Sequence, residues 1–126
     1  MRGLGFLIKA LILVESGGDD SVVGDKHLRD KAYGPLQIRQ PVCDDYNRVH
    51  GTNYRAGIVL GNRKLSEKIC SWYTNHYATK SRLGRSPTDE DRARIWNGGP
   101  DGWKRSSTKA YWQKVSRELK KKGGTK

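Results

Sequence analysis

Cysteine is scarce in this sequence of 126 residues: Cys43 and Cys70 are the only two, and they fit no CxxC or Cys/His spacing. That excludes a disulfide framework and a zinc module, and the scattered His27, His50 and His76 add no ligand set. No cofactor or metal is implied. No apolar run approaches the roughly 18 residues that a membrane-spanning helix needs. Acidic residues are few as well: 13 Asp and Glu face 25 Lys and Arg, a formal charge of +12. Such a balance favours polyanions, whether nucleic acid, an anionic membrane or an anionic cell wall, and does not rank them. Phenylalanine occurs once, yet four Trp, six Tyr and recurring Leu, Ile and Val clusters argue against a disordered chain. The length suits one domain and leaves no room for a second core.

The N-terminus imitates an export signal, with Arg2 ahead of the apolar stretch 5–14. Lys9 interrupts that stretch, however, and Glu15 to Asp20 offers no small-x-small cleavage pattern. Leu4, Leu7, Ile8, Leu11 and Val14 instead keep the i, i+3, i+4, i+7 spacing of one helix face, which predicts a helix over 3–16 stopped by Gly17-Gly18. Residues 17–34 read as loop. Val22-Val23 and Leu36-Gln37-Ile38 are the candidate β segments, the second within a short strand between Tyr33 and Ile38.

Pro41 suits the first turn of a helix over 41–50, and the period of Leu65, Ile69, Trp72, Tyr73 and His76 predicts a longer one over 62–79. A basic linker follows over 80–87. Thr88, with Asp91 three residues on, caps a short helix that ends at Asn97-Gly98-Gly99-Pro100. Thr108 is read as the cap of the last helix, whose Tyr111, Val115 and Leu119 share a face. The expected fold is mostly α with a minimal β element, one domain over 1–119 followed by a basic, disordered tail over 120–126.

Glu15 stands apart among the acids. It ends a helix that must be buried, and both desolvation and the negative end of the helix dipole favour its protonated form. A general acid working near neutral pH needs such a shift; a lysozyme glutamate is the standard example of the pattern. An ordinary solvated glutamate at a helix end is the alternative reading of position alone.

Four segments in order add to that: Glu15-Ser16, Gly34-Pro-Leu-Gln37, Trp96-Asn97-Gly98-Gly99, and Thr108-x-x-Tyr111 with Val115. The series resembles the lytic transglycosylase and goose-type lysozyme superfamily, also called SLT-like, over about residues 5–119. The resemblance implies a lysozyme-like fold and a glycosidase that cleaves the β-1,4 bond between N-acetylmuramic acid and N-acetylglucosamine in peptidoglycan. It implies that Glu15 is the catalytic acid and base, that Ser16 helps hold the carboxyl or the substrate, and that Gln37 and Asn97 line a sugar cleft. Tyr111 matches the family tyrosine beside the acid, and Tyr33 is a candidate cleft wall. Asp25 matches a loop aspartate that would position water, whereas Arg39 stands near the place of the family's second one. Trp96, where the family often has tyrosine, reads as a core residue. Hydrolysis and anhydro-sugar formation stay open.

Peptidoglycan strands are thus the expected partner of a monomer. Nine Lys and Arg between Lys104 and Lys126, against Glu118 alone, suggest a tether to anionic wall polymers or lipopolysaccharide, or simply a solvated basic face. The expected setting is the cell wall or periplasm, with a phage endolysin as one possibility. The rival readings are a basic nucleic-acid-binding protein, for which no recognition motif is present, and a catalytically silent wall-binding module.

Overall fold

Helix α1, Leu4–Ser16, is apolar on nearly every face, and a helix of that kind must be surrounded. Its Leu7, Ala10 and Leu11 are fully buried, and Ile8 and Ile12 nearly so. Helices α3 (Arg63–Tyr77), α5 (Asp89–Gly98) and α6 (Lys109–Lys122) enclose it, and α2 (Gln40–His50) packs on α3. The computed structural model describes residues 3–122. The predicted tail over 120–126 is helical as far as Lys122, and its last four residues lie outside the described ones.

Between α1 and α2 the chain forms two short antiparallel strands, β1 (Val23–Gly24) and β2 (Ala32–Tyr33), with Val23 opposite Tyr33 and Gly24 opposite Ala32. The strand predicted around Leu36-Gln37-Ile38 is a turn instead. Tyr33 and Ile38 exchange two backbone hydrogen bonds of 2.9 Å across Gly34–Gln37. Gln37 takes a left-handed φ of 53°, and its Nε2 donates to the carbonyls of Gly34 at 3.0 Å and Val22 at 3.3 Å. A Cβ on Gly34, itself at φ 78°, would stand 3.0 Å from the Val59 carbonyl oxygen, so glycine alone fits there. Turn chemistry and a close backbone approach override the β propensity of Leu36 and Ile38.

The start of α5 follows the sequence closely. Thr88 Oγ1 accepts from the Asp91 amide at 3.2 Å while Asp91 accepts from the Thr88 amide at 2.8 Å, a reciprocal cap worth about 1 kcal/mol. Burial alone would raise the Asp91 carboxyl, but Arg85, at 2.7 Å from each oxygen, and Thr88 hold it below the usual range.

Two other expectations are corrected here. The predicted linker over 80–87 contains a four-residue helix, α4 (Lys80–Leu83), capped by Thr79 and ended by Gly84. Thr108 does not cap α6 through its side chain: its buried hydroxyl accepts from Arg94 Nε at 2.8 Å and lies 2.7 Å from the Gly102 carbonyl oxygen. Arg94 also donates to Glu90 and to the Arg105 carbonyl, at 2.7 Å each, and so fastens the segment 102–108 onto α5.

Candidate functional site

Glu15 occupies the last turn of α1, where the packed helices leave a cleft of about 270 Å³. Asp25 and Arg39 line its rim, Gln37 and Asn97 its polar sides, and Tyr73 and Trp96 an aromatic wall. Desolvation by burial pushes the Glu15 carboxyl up to about 7, against the opposing pull of a hydrogen bond from Tyr111 and the charge of Arg39. Tyr111 Oη donates to Glu15 Oε2 at 2.8 Å, bridging α6 to the end of α1. Such a carboxyl exchanges its proton near neutral pH. Below that pH it can donate to an oxygen seated in the cleft, and above it can accept, as acid–base chemistry and switchable hydrogen bonding both require.

The other expected site residues separate into three groups. Gln37 and Asn97 reach the cleft, and so does Asp25. Tyr111 acts from behind, as the partner of Glu15. Ser16 does not line the cleft: its hydroxyl donates to the Ile12 carbonyl at 3.1 Å and accepts from the Gly18 amide at 3.2 Å, closing its own helix. Tyr33 lines a neighbouring pocket instead.

Gln37 is half-buried and held in place. A Cβ on Gly24 would meet its Oε1, so the Gln37 side chain would have to shift to admit any other residue there. Asp25, at a left-handed φ of 52°, is paired with Arg39, whose Nη1 also donates to the Asp30 carbonyl at 2.6 Å. Asp25 thus faces the cleft as the ion-pair partner of Arg39.

Sequence reasoning missed Arg39 as a clamp and Tyr73 as a wall. Tyr73 carries the helical period of α3, a signal for burial rather than for a site; Trp96 stands edge-on to it at 5.6 Å and donates Nε1 to the Leu36 carbonyl at 3.3 Å. Trp96 is thus a core residue that also borders the cleft. Cys70 lies close enough for the Glu15 charge to add to burial in raising its thiol well above the ordinary range, and Cys43 is pushed up to about 11, so both are inert buried thiols. Among the described residues no three His, Cys, Asp or Glu stand together as a metal site.

No family model matches the chain, and no curated protein does. A chain in the crystal structure of Aeromonas hydrophila PliI in complex with Meretrix lusoria lysozyme matches with a TM-score of 0.72 and 23% identity, over 93% of this chain and 93% of that one. The expected lytic transglycosylase and goose-type membership is corrected by this finding, which leads to the PliI complex instead. The lysozyme-like fold and the peptidoglycan glycosidase activity expected from that membership are corrected with it. The expected partners, peptidoglycan, wall polymers and lipopolysaccharide, are corrected on the same finding. The chain is mostly helical with a minimal β element, in a fold shared with the matched chain of the PliI–lysozyme complex.

Proposed function

We propose that this chain acts by binding a protein partner through the Glu15 cleft, as a component of a complex of the PliI–lysozyme type. The likeness to a chain of that complex carries the reading. The cleft supports it: a concave surface with an aromatic wall, polar sides and a carboxyl that changes charge near neutrality suits a projecting polar loop. In this reading Glu15 anchors the loop and Tyr111 sets its carboxyl. Gln37 and Asn97 offer amide hydrogen bonds, and the Asp25–Arg39 pair forms a charged lip. Ser16 and Tyr33 support the site from α1 and from the next pocket.

The test is calorimetric titration of the purified chain, first with Meretrix lusoria lysozyme, the partner named for PliI, and second with PliI itself. The expected result is a one-to-one complex with one of them, weakened roughly fivefold by Asn97→Ala through one lost hydrogen bond. Binding to neither overturns the reading. So would release of sugar fragments from peptidoglycan by the wild type that is lost in Glu15→Gln.

A further inference from the structure

A second concavity of about 410 Å³ adjoins the cleft and shares Pro41 with it. Its wall carries Arg29, Lys31 and Arg55 against Asp30 and Asp44. Both acids are already engaged: Arg29 pairs with Asp30 at 3.2 Å, and Gln40 Nε2 donates to Asp44 at 2.9 Å. Lys31 and Arg55 have no ion-pair partner among the described residues. Gln40 is neutral and leaves the Asp44 charge in place, so the pocket carries a surplus of one positive charge beside the Tyr33 ring, with Lys31 and Arg55 the cations outside an ion pair.

The walls are also fixed in place. Gln40 Oε1 accepts from the Ala56 amide at 2.8 Å, which ties the start of α2 to the segment 56–59. Arg39, from the rim of the Glu15 cleft, holds the Asp30 carbonyl and so joins one concavity to the other. Unpaired cations on a braced polar wall recognise carboxylates, and a guanidinium does so with a two-pronged hydrogen bond.

We infer that this pocket is a carboxylate-binding site that takes an acidic side chain of the peptide segment seated in the Glu15 cleft. The inference rests on the cleft being the contact surface, and it adds the chemistry of the ligand: an extended segment with an Asp or Glu a few residues from the group that meets Glu15.

The experiment titrates the isotope-labelled full chain with a capped tri-aspartate peptide and with its tri-asparagine counterpart, reading amide shifts. The aspartate peptide is expected to move Tyr33, Ala56 and Gly57. Lys31→Gln combined with Arg55→Gln should weaken it roughly tenfold, the worth of a charge-assisted contact, while Arg117→Gln with Lys121→Gln on α6 should leave it unchanged. Equal binding of the asparagine peptide, or no effect of the first pair of substitutions, overturns the inference. If the peptide seats in this pocket but neither PliI nor the lysozyme binds, the partner reading fails and the carboxylate site stands. If a partner binds the cleft but the peptide ignores Lys31 and Arg55, only the carboxylate site fails.

Discussion

Glu15→Gln is expected to stabilise the protein above pH 7 and to leave its stability unchanged at pH 4. The folded carboxyl keeps its proton up to about 7, whereas the unfolded chain releases it near 4.5. Between those values the folded state binds more protons, so stability falls as pH rises; the contribution is complete below 4.5 and lost by the time pH passes 7. The loss amounts to at most about 3 kcal/mol, reduced by whatever solvent reaches the half-buried side chain. Glutamine has no proton to lose and still accepts from Tyr111, so the penalty disappears. Chemical denaturation at pH 4, 6 and 8 measures it: a stability difference that grows with pH is predicted, and one constant across the three contradicts the buried-acid account.

Gly102→Ala is the other large effect, at a residue that does not itself line the cleft. A Cβ there would collide with the Arg94 carbonyl oxygen and lie 2.9 Å from its carbon and 3.3 Å from the Ile95 Cα. All three are backbone atoms of α5, so no side-chain rotation relieves the clash. The segment 102–104 would have to lift from the helix, disturbing the Arg94–Thr108 bond that fastens it. We expect a loss of roughly 3 kcal/mol, at the upper end for overpacked sites. A thermal midpoint within a degree or two of the wild type would contradict the close-packing account.

These two positions mark how far the sequence could be read. The period of Leu7, Ile8 and Leu11 placed α1, and the burial of those residues made Glu15 noticeable. The Thr88–Asp91 pair marked the start of α5, because a cap is written within four consecutive residues. The turn at Gly34–Gln37 was not legible, since its cause is the approach of Val59 and Val22 from other segments. Nor were the clamp made by Arg39 and the tie between Arg94 and Thr108, which join residues nine to fourteen positions apart with no local pattern. Helix α4 is too short to show a period.

The family resemblance failed for a related reason. It rested on four strings of two to four residues, and in three of them a residue has a local task here. Ser16 closes its helix, Gln37 braces a turn and Thr108 holds an arginine. Residues chosen for such tasks recur in many helical proteins, so their order alone does not define an activity.

The measurement that tests the central claim most directly is amide-shift mapping of the labelled chain during titration with Meretrix lusoria lysozyme and, separately, with PliI. If the cleft is the contact surface, one of the two should shift Glu15, Gln37, Arg39, Trp96, Asn97 and Gly99 together, residues drawn from the end of α1, the segment between β2 and α2, and the end of α5 that together line it. Shifts from neither protein, or shifts confined to the outer face of α6, would contradict it.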